Sequence, residues 1–119
     1  DTPVYIGAGT PLQLLHGHSW GGFTFRYDGN VWDTRNAVFD EKTILTLTNL
    51  YVNTPYLWGG RSVAGIDCSG FSQQVYRFFG KSLPRDAYQQ AALGESVGFL
   101  QETCCGDLAF FDNAEGKIT

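Results

Sequence analysis

From Cys68 onward, apolar side chains fall at Phe71, Val75, Phe78 and Phe79, spacings of three and four that place them on one side of a helix. Gln73, Gln74 and Arg77 are expected on its outside. Gly80 marks the end, with Lys81 near the negative pole of the helix. Upstream, Ile44, Leu47, Leu50 and Tyr51 suit a second helix over residues 43–52, while the threonines and the Leu45/Leu47 alternation suit a strand. Helix is the expectation, because Asp40 is placed to cap its start and Pro55 closely follows its end. Leu83-Pro84-Arg85-Asp86 leads into a short helix through Ala87, Tyr88, Gln89, Ala91, Ala92 and Leu93, stopped by Gly94. Residues 108–111, Leu-Ala-Phe-Phe, read as a buried strand, 112–116 as a turn, and 117–119 as the start of a strand that pairs back.

The first 39 residues change period. Val4-Tyr5-Ile6 is a candidate strand, Gly7-Ala8-Gly9 a turn, residues 12–15 a second strand and 23–27 a third with strict alternation. Asp28-Gly29 is a hairpin signal, after which Val31 and Trp32 begin a return strand. So few strands make part of a small barrel and not a closed one. Residues 34–42 turn charged and irregular, which divides the chain into 1–39 and 40–119. With 119 residues, this is one ordinary domain or a small domain plus part of another.

Composition narrows the function classes. Hydrophobic residues make up 43% and charged ones 17%, with 15 glycines and 9 phenylalanines, so the chain reads as globular and aromatic-packed. A formal charge of −4 and the lack of a lysine or arginine cluster argue against nucleic acid as a partner. No apolar run approaches the ~20 residues that span a bilayer. Three cysteines are too few for a disulfide scaffold. A bond between the neighbours Cys104 and Cys105 would be strained, so both are expected as buried small apolar groups.

Candidate chemistry gathers at residues 55–70, Pro-Tyr-Leu-Trp-Gly-Gly-Arg-Ser-Val-Ala-Gly-Ile-Asp-Cys-Ser-Gly. The periodicity puts Cys68 in the first helical turn, where free backbone N–H groups and the helix dipole favour an anion, as a thiolate nucleophile requires. A cysteine there is by itself more often structural. Gly59, Gly60, Gly65 and Gly70 permit close backbone approach, and Tyr56 carries a phenolic O–H suited to a developing oxyanion. Asp67 and Ser69 flank the cysteine with polar groups that packing alone does not need.

Four blocks in this order, Pro55-Tyr56-Leu57-Trp58-Gly59-Gly60, Gly65-Ile66-Asp67-Cys68-Ser69-Gly70, Leu83-Pro84-Arg85-Asp86 and Gly106-Asp107-Leu108-Ala109-Phe110-Phe111, resemble the NlpC-type cysteine peptidases of bacterial cell walls. Residues 1–39 resemble, less specifically, the end of the bacterial SH3-like module that often precedes them. The resemblance implies an α+β, papain-like catalytic domain preceded by part of a small SH3-like β-barrel. It further implies hydrolysis of the γ-D-glutamyl to diamino acid bond (diaminopimelate or lysine) in peptidoglycan stem peptides or muropeptides, without a cofactor. Cys68 would be the nucleophile, its own backbone N–H and Tyr56 would hold the oxyanion, and Asp67, Ser69 and Asp86 would line the acyl-side pocket. Trp58 is read first as packing the loop and second as a substrate contact.

Such a mechanism needs a histidine. The resemblance implies one on the strand after the hairpin begun by residues 117–119, with a second polar residue that orients it. The chain is therefore expected to be inactive alone, and the natural protein to continue, or a second chain to complete the fold. His16 and His18 are the only histidines, in a turn-rich segment with no carboxylate or amide placed to orient them, and two residues apart with no third ligand they argue against a metal. Two other readings stand beside the endopeptidase: a related cysteine amidase or acyltransferase, and a wall-binding module without catalysis. Wall hydrolysis implies a periplasmic or extracellular site of action, and muropeptide recycling a cytoplasmic one.

Overall fold

The computed structural model describes residues 5–12 and 28–119. Its organising helix, α2 (Cys68–Arg77), starts where Asp67 leaves the extended conformation and accepts a hydrogen bond from the Gly70 N–H at 2.7 Å. That is N-capping by a short carboxylate, as helix starts favour. At the other end, the Gly80 N–H bonds to the Arg77 carbonyl and the Lys81 N–H to the Tyr76 carbonyl, with Gly80 at φ +70°. This left-handed turn ends the helix where the glycine predicted it.

Ahead of it lies α1 (Glu41–Thr48), extended by a 3-10 turn over Asn49–Tyr51. Helix wins over strand here for the reason read from the sequence: the Asp40 side chain accepts from the Thr43 N–H at 2.8 Å. Ile44 and Leu47 face inward, and Leu47, Tyr51, Ile66 and Phe78 form the core with Phe71 and Phe79 at its margin. Aromatic edges meet faces across it, with Tyr51 against Phe71 at 5.8 Å and Phe39 against Phe79 at 4.8 Å between ring centres.

Between the two helices the chain folds into a small antiparallel hairpin, β1 (Arg61–Ser62) and β2 (Gly65–Ile66). Tyr56 lies along the other side of β2 in a parallel bridge, fixed by bonds from the Leu57 N–H to the Ile66 carbonyl and from the Ile66 N–H to the Pro55 carbonyl, each 3.1 Å. Residues 55–57, 65–66 and 61–62 thus lie side by side and deliver the chain into α2. The short helix α3 (Ala87–Ala91) follows, with the Gln89 side chain accepting from the Asp86 N–H at 3.3 Å. A final 3-10 turn spans Leu100–Glu102.

Several expectations need correction. Gln74 is buried, not outside, because the segment near Gly9 lies over that face of α2: a Cβ on Gly9 would come within 2.9 Å of the Gln74 Oε1. Helix α3 stops at Ala91, short of Leu93. Residues 108–111 are irregular and Phe111 is exposed, since an apolar run becomes a strand only where a neighbour takes up its backbone groups. The turn after them is formed: Asp112 bridges Ile118 antiparallel, and the Asn113 N–H bonds to the Lys117 carbonyl at 2.8 Å.

In the front segment, Val31 and Trp32 form no strand. Trp32 instead donates its indole N–H to the Phe78 carbonyl at 2.7 Å and sets its ring edge-on to Phe78. An orphan carbonyl at the end of α2 is thereby satisfied. The candidate strands at 12–15 and 23–27, save Leu12, and the histidines His16 and His18 lie outside the described residues, as does Val4 of the first.

Close backbone approach makes a sharp demand on the hairpin. A Cβ at Gly60 would collide with the Gly65 carbonyl and stand 2.9 Å from the Ile66 nitrogen, whereas Gly94 has open space around it. Gly60→Ala is expected to destabilise the fold by about 1–3 kcal/mol, as overpacking does. Thermal unfolding should show a midpoint lowered by several degrees, with Gly94→Ala near wild type.

Candidate active site

Beside the cysteine stands a carboxylate that is held through both of its oxygens. Asp67 is 8% exposed. Its Oδ1 accepts from the Gly70 N–H at 2.7 Å and from Arg85 Nη1 at 3.1 Å; its Oδ2 accepts from the Gly59 N–H at 2.8 Å and from Arg85 Nη2 at 2.5 Å. The guanidinium grips the carboxylate with both arms, the strong geometry for this pair. Arg85 Nη1 also donates to Ser69 Oγ at 2.7 Å, and Ser69 Oγ lies 3.4 Å from Asp67 Oδ1. One carboxylate therefore joins the turn at Gly59, the first turn of α2 and the loop before α3.

That loop is itself pinned. Gln90, buried on α3, donates through Nε2 to the Ser69 carbonyl at 3.1 Å and to the Pro84 carbonyl at 2.9 Å. Gln73 Nε2 donates to the Leu83 carbonyl at 2.8 Å. Residues 83–85 are held against α2 by amide side chains at the two carbonyls that precede the arginine and by the arginine's own bonds.

Cys68 is the first residue of α2 and is exposed. Its backbone leaves a carboxylate-capped turn while its thiol meets solvent, so the structure exposes the sulfur and buries its neighbours Asp67 and Ser69. The expectation that Cys68 lies in the first turn of a helix is met. Tyr56, on the strand beside β2, is 69% exposed, and Asp86 is exposed at the start of α3. Trp58 is 87% exposed, which corrects the expectation that it packs the loop: the turn is held by backbone bonds, including the Gly60 N–H to the Leu57 carbonyl at 2.8 Å, and needs no aromatic filler. Tyr56, Leu57 and Trp58 thus form an exposed rim over a backbone-tight floor.

Cys104 and Cys105 are also exposed, against expectation. They belong to a surface turn closed by the Asp107 N–H to the Cys104 carbonyl at 3.0 Å and by the Cys104 N–H to Asp107 Oδ2 at 2.7 Å. What is fastened to the body is the next carbonyl, Gly106, which accepts from the Tyr76 hydroxyl at 2.6 Å. Among the described residues no group of His, Cys, Asp and Glu is arranged to hold a metal.

Arg85 was not singled out from the sequence. The sequence carried only a partial signal, an arginine inside the block Leu83-Pro84-Arg85-Asp86, since Arg61 and Arg77 lie nearer to Asp67 along the chain and nothing local selects among them.

The comparisons with known proteins fall on this same region. The model of the NlpC/P60 family matches residues 53–119. The chain is similar to the gamma-D-glutamyl-L-lysine dipeptidyl-peptidase of Bacillus subtilis (strain 168), at 48% identity over 67 residues, 56% of this chain and 22% of that protein. It is similar to the gamma-DL-glutamyl hydrolase of the same organism at 43% identity, covering 92% of this chain and 29% of that protein. The probable endopeptidase NlpC of Escherichia coli (strain K12) is 42% identical over 54% of this chain and 42% of its own. The chain spans less than half the length of each of these relatives.

Hydrogen bonding from Arg85, opposed by burial and helped by the Gly70 and Gly59 N–H groups, lowers the Asp67 carboxyl from 3.8 to about 2. A carboxyl depressed on folding binds fewer protons in the native state, so its stabilisation is complete above its unfolded value and is lost as pH falls through about 2. The shift corresponds to on the order of 2 kcal/mol. Asp67→Asn is expected to lower the unfolding free energy by about that amount at neutral pH and to flatten the acid limb between about pH 4 and 2. Denaturant titrations across that range measure both.

Proposed function

This chain belongs to the NlpC/P60 family, and on that footing we propose that it is the nucleophile-bearing part of a cysteine endopeptidase cleaving the γ-D-glutamyl to diamino acid bond of peptidoglycan stem peptides. The observation that carries the reading is the exposed Cys68 at the first position of a helix whose preceding residue is a buried, charge-paired cap. A sulfur that only packed would have no use for this arrangement. The names of two relatives share the γ-glutamyl linkage, and a third is named an endopeptidase.

In the proposed reaction the Cys68 thiolate attacks the γ-glutamyl carbonyl and the negative charge develops on its oxygen, near the Cys68 backbone N–H and the Tyr56 hydroxyl. The diamino acid amine leaves with a proton from a histidine, and water then hydrolyses the thioester. On this proposal that histidine lies on a strand that follows residues 117–119, in the same polypeptide or in a second chain. Trp58 and Asp86, both exposed, are proposed to meet the substrate, with Asp67 and Ser69 shaping the pocket from beneath. The proposed fold is α+β and papain-like over residues 40–119, preceded by part of an SH3-like module over 1–39. Action on the wall places the enzyme in the periplasm or outside the cell; no helix among the described residues is long and apolar enough to cross a membrane.

A second reading, hydrolysis of γ-glutamyl bonds outside the cell wall, is favoured by the gamma-DL-glutamyl hydrolase, whose similarity covers 92% of this chain. The net charge of −4 works against it where the substrate is a polyanion.

Cys68→Ala or Cys68→Ser in the full-length protein is expected to reduce cleavage of an L-Ala-γ-D-Glu-diaminopimelate peptide by about 10³-fold or more. Mass spectrometry of the products identifies the bond. Undiminished cleavage in either variant would sink the assignment, and a product cut at the sugar-proximal amide would point to an amidase.

A further inference from the structure

We propose that Arg85 is a positioning and charge-balancing residue for Cys68: by gripping Asp67 with both arms it aligns the helix start and cancels the one buried negative charge beside the sulfur. The proposal rests on Cys68 being the reactive thiol, and its test is read at the sulfur instead of in substrate cleavage.

The geometry sets up a conflict that Arg85 resolves. Asp67 must be ionised to accept from Gly59, Gly70 and the guanidinium together. An ionised carboxylate one residue from the nucleophile, with a side chain 10% exposed, opposes the negative charge that the sulfur must carry. Backbone N–H groups stabilise the carboxylate but bring no full charge. Arg85 brings one, on the same carboxylate and on Ser69 Oγ, the residue on the other side of the cysteine. Arg85 is held in its charged form first by hydrogen bonding to Asp67, against some burial, and then by attraction to Asp67, Asp86 and Cys68. The groups that bear on Arg85 are thus Asp67, Asp86 and the sulfur, and a second guanidinium, Arg61 on β1, runs past the same helix start, its Cγ 3.2 Å from where a Cβ on Gly70 would lie.

The arginine also has an address that a purely stabilising ion pair would not require. Its loop is clamped to the carbonyls around the nucleophile: the Gln90 amide spans Pro84 and Ser69, and Gln73 holds Leu83. Guanidinium, cap and the backbone around the cysteine are thereby bonded into one unit. A lysine at position 85 would keep the charge but lose the two-armed grip.

The test compares alkylation of Cys68 by iodoacetate, an anion, and by iodoacetamide, which is neutral, in the full-length protein at neutral pH. Peptide mass spectrometry follows each site, and the exposed Cys104 and Cys105 serve as references in the same molecule. Arg85→Gln is expected to lower the iodoacetate-to-iodoacetamide rate ratio at Cys68 about fivefold or more while leaving the reference thiols unchanged. Arg85→Lys should keep most of that ratio but react more slowly with both reagents. In the Asp67→Asn/Arg85→Gln pair, which has no buried charge left to balance, the ratio should return toward wild type. An unchanged ratio in Arg85→Gln, or a ratio in the double variant as low as in the single, overturns the proposal. Should Arg85→Gln fail to fold, the lysine and double variants decide between the same outcomes. A wild-type protein that shows these shifts yet cleaves no γ-glutamyl peptide would remove the proposed function and leave this inference standing.

Discussion

The carboxylate of Asp67 is the point at which this structure is tied together. It caps α2, closes the turn at Gly59 and receives Arg85, so three stretches separated in sequence meet at one pair of oxygens. Each of these bonds individually contributes modestly, and a buried charge with any of them missing would be costly. The arrangement is therefore cooperative by construction: the cap needs the arginine, the arginine needs its loop, and the loop needs the amides of Gln73 and Gln90.

Hydrophobic burial alone would not produce such order. The apolar core among the described residues is small, centred on Leu47, Tyr51, Ile66 and Phe78, and many large apolar side chains remain exposed. Direction comes instead from polar contacts that fix ends: Asp40 starts α1, Asp67 starts α2, and the Trp32 indole and the Gly80 turn finish it. The core supplies the drive to collapse, and the caps decide where each helix begins.

What the sequence made readable follows the same division. Helix α2 was readable from its 3.6 period and α1, where the period was ambiguous, from the capping Asp40, because both signals are local. The turn at 112–116 was equally local. Residues 108–111 were not, because a strand is a relation to a neighbour and an apolar run specifies only its own half of it. Gln74 was misplaced because periodicity says which face a residue occupies and not what lies over that face, and Trp58 because nothing local shows whether backbone bonds alone can hold a turn. For the site, the position of Cys68 was visible in its motif, whereas the pairing of Asp67 with Arg85 spans 18 residues and has no periodic signature.

The hairpin before α2 separates two properties that a binding loop usually mixes. Its inner residues, Gly60, Gly65, Ile66 and Asp67, are buried and pressed backbone against backbone, while Tyr56, Leu57 and Trp58 stand outside on the adjoining strand and turn. Inner positions leave little room, for a Cβ on Gly65 would come within 2.7 Å of the Leu57 Cβ, while Tyr56 and Trp58 reach out into solvent. A protein built this way has a fixed floor and a variable outer edge. A change at Trp58 therefore alters the surface that a neighbouring molecule would meet without moving the backbone that positions Cys68.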